Sequence, residues 1–421
     1  MNKNSMITAL LAAVPSTMAL LTGPGCSQHT RVVWQQQYTS DLSDAAVSVA
    51  TDSNDIIIGA NCKDAAAELY DSAWELLRYD ANGKLLWQKR YERGPCDDMA
   101  AVAIAADHDI VAVGWTVPRA HGYPSRLLLS RFSPQGVPRW QKEYAFATNT
   151  MGKAVTVDSS GRITVCGSVT SDTFFNPKSD LLIARFDAEG NVLDHETLDF
   201  GADEYGVDLF RLQGRRNTVT TVAGLRIPLP ASTDSLRDRD IVLAGLSPEG
   251  TVLWREYCAS GGYTAGGRKS VVHVAGNSAV VSSYTFGGYE VHLLEYGSRW
   301  GDVELLSDTR YPGDLNAMCL GLTADRGGHI LGVGSAGPEG HQYISGWRYF
   351  RGKFFKFLPW HGYTTGPDDR ATGIALDASG NAIVVGTSDS GLNSSIILLK
   401  VALPKYKPPP NLYLGHGSTA R

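Results

Sequence analysis

The sequence predicts an all-β fold: a seven-bladed β-propeller of four-stranded blades, with an N-terminal strand completing the last blade. Three observations predict it. Alternating apolar runs bounded by turn residues recur about every 55 residues, the signature of a repeat array. The runs are short and β-branched, with no helical periodicity. A tryptophan-centred segment precedes the first repeat and is missing after the last.

Taken in order, each repeat starts with an alternating strand, such as Ala46-Val-Ser-Val, Ala101-Val-Ala-Ile or Ala154-Val-Thr-Val. A second β-branched run ending in glycine follows and is the easiest anchor: Ile56-Ile-Ile-Gly59, Val111-Ala-Val-Gly114, Thr164-Val-Cys-Gly167, Thr221-Val-Ala-Gly224, Leu331-Gly-Val-Gly334 and Val384-Val-Gly386. A degenerate copy, Val280-Val-Ser-Ser283, lacks the glycine and brings the number to seven. The third run includes Glu75-Leu-Leu-Arg-Tyr and Leu127-Leu-Leu-Ser-Arg-Phe. Tetrads such as Asp80-Ala-Asn-Gly83, Asp158-Ser-Ser-Gly161, Asp187-Ala-Glu-Gly190 and Asp377-Ala-Ser-Gly380 separate the strands. In them the Asp carboxylate caps the turn and Gly takes the left-handed position.

The fourth strand carries the circular clue. Trp87-Gln-Lys-Arg-Tyr91 and Trp140-Gln-Lys-Glu-Tyr144 end repeats one and two, yet Trp34-Gln-Gln-Gln-Tyr38 stands before repeat one begins. The seventh repeat stops after its third strand, and Pro404-Lys-Tyr-Lys-Pro-Pro-Pro410 cannot supply a ladder strand. The orphan N-terminal strand therefore pairs with the last repeat, which removes the exposed edges an open array would leave. The domain reading is a signal segment over 1–26, a propeller over 27–403 and a solvated Pro-rich tail over 404–421.

Residues 1–26 join one positive charge to an apolar run from Met6 to Leu21, too short and too interrupted by Pro15 to span a membrane, so they read as an export signal. The end of this run, Leu21-Thr-Gly-Pro-Gly-Cys26, resembles a bacterial lipoprotein lipobox, with Gly25 before the Cys as in that motif and Gly23 where it usually has Leu. The resemblance implies lipidation at Cys26, and Ser27 beside it implies an outer-membrane destination, periplasmic or surface-facing. Cleavage near Ala19, leaving Cys26 a free thiol, is the alternative. No other segment has the length and apolarity to cross a bilayer, so the membrane is met through an N-terminal lipid only.

The repeat resembles those of SBBP-type β-propeller proteins, most clearly at Asp369-Arg-Ala-Thr-Gly-Ile-Ala-Leu-Asp377-Ala-Ser-Gly-Asn381-Ala-Ile-Val-Val-Gly386. That resemblance spans roughly residues 33–403 and implies the fold, since such repeats share no catalytic motif. Asn82-Gly-Lys-Leu-Leu-Trp87 resembles quinoprotein propellers, but the paired adjacent cysteines that hold their quinone are missing.

The composition is that of a globular β protein: 421 residues, 43% hydrophobic, 19% charged, net charge −5. With no basic stripe to neutralise phosphates, a nucleic-acid partner is not expected. The long connections, 61–73, 116–125, 170–179, 226–239 and 259–268, all fall at one end, where binding on a rigid scaffold usually resides. They carry His121, Tyr123, Phe174, Phe175 and Tyr263, with Trp360 and His361 in a further loop, as candidates for contact with a protein or glycan. Cys62 and Cys96 also read as loop residues at this end, which makes them candidates for an inter-blade disulfide in an oxidising compartment.

Acidic residues recur where each blade starts: Asp44, Asp98, Glu204 and Asp369, with Asp41, Asp97, Asp203 and Asp368 nearby. A ring of oxygens there suits a polar ligand or a structural Ca²⁺. The alternative is that they bond backbone N–H groups at strand starts. Neither a resident cofactor nor a catalytic metal is expected. There is no Gly-x-Ser-x-Gly elbow, His-Glu-x-x-His or phosphate loop. The expectation is a monomeric, non-catalytic binding or scaffold module of the cell envelope. The rivals are an enzyme acting on a polysaccharide at the channel mouth and an outer-membrane assembly scaffold.

Overall fold

The computed structural model describes residues 30–403 except 53–54, 65–71, 95, 118–123, 172–177, 214–217, 228–239, 248–250, 259–270, 276–277, 286–287, 300–301, 312–316, 326–328, 339, 351–352, 357, 359–365, 367 and 392. Among the described residues every regular element is a β-strand, and no helix is long and apolar enough to cross a membrane.

In chain order the strands are β1 (Arg31–Tyr38), β2 (Ser43–Asp52), β3 (Asp55–Lys63), β4 (Ser72–Asp80), β5 (Leu85–Tyr91), β6 (Cys96–Ile104), β7 (Ile110–Val117), β8 (Arg126–Phe132) and β9 (Pro138–Tyr144). Then come β10 (Asn149–Val157), β11 (Ile163–Ser171), β12 (Lys178–Phe186), β13 (Val192–Leu198), β14 (Asp203–Gln213), β15 (Thr218–Ile227), β16 (Asp240–Leu246) and β17 (Val252–Cys258). The last are β18 (Val271–Ala275), β19 (Ser278–Thr285), β20 (Gly288–Arg299), β21 (Asp302–Arg310), β22 (Met318–Ala324), β23 (Ile330–Ala336), β24 (Tyr343–Phe350), β25 (Lys353–Lys356), β26 (Asp368–Leu376), β27 (Ala382–Asp389) and β28 (Ser394–Ala402).

They form antiparallel four-stranded meanders, β2 to β5, β6 to β9 and so on. The first two are joined by one parallel bridge, Ser72 to Cys96. The final meander, β26 to β28, takes its outer strand from the start of the chain. Arg31 to Tyr38 pair antiparallel with Ala402 to Ile396, so β1 lies beside β28.

The strand pattern dictates where the cores form. Apolar side chains sit on both faces of the second and third strands, so each sheet must be covered on both sides. Leu76, Met99, Ala112 and Phe132 join the first and second meanders. Val113, Leu129, Val165 and Phe186 join the second and third, and Cys166, Leu181, Val222 and Val242 the third and fourth. β14 and β18 bring the fourth against the fifth. Val291, Leu293 and Trp347 join the fifth and sixth, and Val333, Ile344, Ala371 and Ile397 the sixth and last. Ile58, Leu77, Val385 and Leu398 then join the last meander to the first. At roughly 1.5–3 kcal/mol for each fully buried Leu, Ile, Val or Phe, these layers supply the main driving force.

The recurrent glycine has a geometric cause. In the first strand pair of the second, third, fourth, sixth and last meanders, the register slips by one residue at the same place. This bulge drives the partner carbonyl toward the second strand. A Cβ on Gly114 would lie 2.0 Å from the Asp98 carbonyl oxygen, and one on Gly167 would lie 1.9 Å from that of Met151. In the β18–β19 pair, whose second strand carries Val280 to Ser283, the described residues run with no register slip. The first meander corrects the sequence alignment by one place: its slip falls opposite Ala60, not Gly59. Ala60 is the small residue at the bulge.

The tetrads and tryptophans form one device. Asp80 Oδ1 accepts the N–H groups of Asn82 and Lys84, both at 2.9 Å, and Asp158 and Asp377 repeat the pattern. Gly136 and Gly190 close their turns at φ 69° and 76°. The fourth-strand tryptophan of one sheet then caps the turn of the next. Trp87 Nε1 donates to Pro134 O at 3.2 Å and Trp140 Nε1 to Ala188 O at 3.0 Å, with the rings against Gly136 and Gly190. Trp34 on β1 does the same to the first meander, donating to Ala81 O at 3.1 Å and covering Gly83. Turn and tryptophan therefore lock neighbouring sheets at the tetrad end. The strand ends that flank the longer connections lie at the other.

Candidate functional site

The first-strand starts at the long-connection end hold a recurring set of buried acidic residues. Three residues before the bulge residue stand Asp44 on β2, Asp97 on β6, Thr150 on β10, Glu204 on β14 and Asp369 on β26, each at most 1% exposed. Register thus replaces Asp98 with Asp97 as the repeated position, because alternation sends neighbouring side chains to opposite faces.

Their oxygens serve the incoming backbone. Asp44 accepts Ser40 N and Ser40 Oγ, both at 3.0 Å. Asp97 Oδ2 accepts the N–H groups of Arg93 and Gly94. Thr150 Oγ1 accepts those of Phe146 and Ala147, and Glu204 Oε1 that of Ala202 at 2.9 Å. Burial pushes the Asp44 and Glu204 carboxyls up, and the donated N–H groups pull them back. Thr150 does the same work without charge, so a backbone-acceptor role is common to the position.

The preceding residue latches onto the previous sheet. Asn149 Oδ1 accepts Ser125 N, Asp203 Oδ1 accepts Ser179 N, and Asp368 Oδ1 accepts Gln342 N, at 2.9–3.0 Å. At the junction of the last and first sheets the pair is Ser43 with Ser394. Between the first two it is Cys96 with Ser72, their Sγ and Oγ 3.4 Å apart.

This corrects the reading of Cys62 and Cys96. Both belong to strands rather than loops, and both thiols are free and buried. Asn61 turns toward β6, exchanging hydrogen bonds with Met99 N and O, so alternation points its neighbour Cys62 to the opposite face. There Cys62 Sγ donates to Ala73 O, and burial pushes the thiol up to about 12. Cys166 on β11 and Cys319 on β22 are likewise buried thiols.

Asp98 faces a different group. Lys63 Nζ lies 3.9 Å away and Cys96 Sγ 4.0 Å away, while Lys153, the bulge residue of β10, holds its ammonium over the Trp115 ring at 3.8 Å. Burial pushes the Lys153 ammonium down, and the Asp98 charge opposes that. A second acidic group brings ligand atoms of Asp180, Asp199 and Glu204 within 4.8 Å of one another. Lys178 supplies its counter-charge, with Nζ 2.5 Å from Asp199 and 3.6 Å from Asp180.

The sequence reading missed Lys153 and Trp115. Only the position of the bulge reveals them, because it lets a lysine inside an alternating strand reach the neighbouring sheet. His121, Tyr123, Phe174, Phe175, Tyr263, Trp360, His361 and Cys26 lie outside the described residues.

No family model matches the chain, and no curated protein does. Solved structures do. A protein of unknown function from Dyadobacter fermentans DSM 18053 is 11% identical over 88% of this chain and 98% of its own, at TM-score 0.47. The polysaccharide lyase Uly1 is 10% identical over 84% and 89%, at TM-score 0.48. The levansucrase of Bacillus subtilis is 9% identical over 65% and 88%, at TM-score 0.39.

Proposed function

We propose that the chain is a closed seven-bladed β-propeller, exported and lipid-anchored in the bacterial cell envelope, that binds a protein or glycan partner at its long-connection end. One observation carries this reading: the two ends of the sheets are built differently. The tetrad end is occupied by short turns, three of them capped by a neighbouring tryptophan. At the other end the buried acceptors hold the strand starts in place, and the connections between them are free to vary in length and sequence. A rigid rim presenting variable segments suits recognition. Closure is supported by the β1–β28 ladder and by the order in which successive sheets share apolar layers.

The test is a carbohydrate array and an envelope cross-linking screen with the full chain. They are repeated for the triple variant Tyr123→Ala, Phe174→Ala, Trp360→Ala. Binding is expected to fall at least tenfold, about 1.4 kcal/mol, with the melting temperature unchanged. A glycan converted to product would replace the binding reading with the enzyme rival. A partner retained equally by the variant would remove the face assignment. Cys26→Ser should also release the protein from the membrane fraction.

A further inference from the structure

The strands with the Trp–Tyr pattern anchor their tyrosine in different ways. Tyr91 on β5 and Tyr144 on β9 donate their hydroxyls to backbone carbonyls of the next sheet, Gly136 O and Gly190 O. Backbone carbonyls do not titrate. On β1 the corresponding Tyr38 donates instead to a side chain, Glu75 Oε1, at 3.0 Å.

Glu75 is the acidic residue of its position in the repeat. Leu128, Leu182, Val242 and Ile397 hold the matching place in four other sheets, counted back from the third-strand residue that ends each core layer, and all are buried, while Ser345 and His292 hold it in the sixth and fifth. Glu75 is buried too, at 2% exposed. Gln88 Nε2 also donates to its Oε1, at 2.7 Å, whereas Oε2 is enclosed with no hydrogen-bond partner among the described residues. Retaining a carboxyl where four other sheets have an aliphatic residue, with one oxygen enclosed in this way, costs stability.

We propose that Glu75, buried under Tyr38 of β1, makes a pH-sensitive clasp on the N-terminal strand: β1 stays closed over the neutral carboxyl and loosens when Glu75 ionises, because water reaches the charge only where β1 lifts. The groups around Glu75, among the described residues, are Tyr38 from β1, Asp44 from β2, Cys62 from β3, Tyr79 from its own strand, and Gln88 and Arg90 from β5. Burial, then the Asp44 charge, push the Glu75 carboxyl up to about 7, against the pull of Gln88, Tyr38 and Arg90. The folded value exceeds the ordinary one of 4.5, so the clasp is fully stabilising below 4.5 and is lost as pH rises through about 7. A lipid-tethered chain would thereby sense the acidity of its surroundings at the strand nearest its tether.

The experiment is hydrogen exchange of the β1 amides at pH 5.5 and pH 8, corrected for intrinsic rates, with β9 as internal reference. The expected result is a loss of β1 protection of roughly tenfold or more at pH 8, with β9 unchanged. Glu75→Gln keeps an acceptor for Tyr38 but cannot ionise. Glu75→Leu restores the repeat residue and covers the case in which the first variant folds poorly. Either variant should remove the pH dependence of β1. A β1 that tracks β9 at both pH values, or a dependence that survives in a folded variant, would overturn the proposal.

Discussion

Replacing Gly167 with alanine should destabilise the protein by about 3 kcal/mol, the upper part of the range for overpacked interiors. The added Cβ would sit 1.9 Å from the Met151 carbonyl oxygen and 2.9 Å from its carbon. Both are backbone atoms of a paired strand, so no side chain can rotate away. Relief requires moving β10 off β11, which also disturbs the buried layer around Cys166 and Leu181. Gly161, in the β10–β11 turn, is the control: its Cβ would meet only Ala188 Cβ, at 3.3 Å, and its cost is set by its φ of 84°. Unfolding free energies of the two variants from denaturant titration should differ by more than about 1 kcal/mol, with the midpoint of Gly167→Ala the lower, since a left-handed residue penalty alone is of the order of 1 kcal/mol. Equal midpoints would remove the bulge explanation for the repeat's glycine.

Deleting residues 31–38 should have the larger effect. β28 would lose its outer ladder partner, exposing the edge of a strand that reads Ile396-Ile-Leu-Leu, with Val401 beyond. Such an edge is a template for intermolecular pairing. The first meander would also lose the cap of Trp34 on its turn and the anchor at Tyr38. The expected result is loss of monomer in size-exclusion chromatography, with aggregation well below the melting temperature of the full chain. A deletion variant that stays monomeric, with an unchanged melting curve, would mean that β1 is dispensable.

Much of this architecture was legible in the residues. The Asp-to-Gly tetrads and the tryptophan four places before a tyrosine each report a local requirement, and local requirements survive in a single sequence. What stayed hidden depends on register. A one-residue bulge exchanges the roles of Gly59 and Ala60 and of Asp97 and Asp98, and alternation carries such an error to the opposite face of a strand. Cys62 and Cys96 read as loop residues because the polar segments beside them mask where the strands end and begin. Glu75 sits before two leucines and looks like an ordinary polar residue at a strand end. Only the spatial arrangement shows it standing where four other sheets put an aliphatic side chain. The acidic strand starts recur visibly in the sequence, and their hydrogen bonds to backbone amides are visible only with coordinates.

The claim that supports the rest is that the first and last strands are neighbours within one molecule. The pair Arg31→Cys and Ala402→Cys tests it most directly, because those residues face each other across the β1–β28 ladder. Mild oxidation should join them within a single chain, so that proteolysis at an intervening connection leaves fragments that separate only after reduction. If both introduced thiols stay free, or link different molecules into dimers, the closing strand has been assigned to the wrong place.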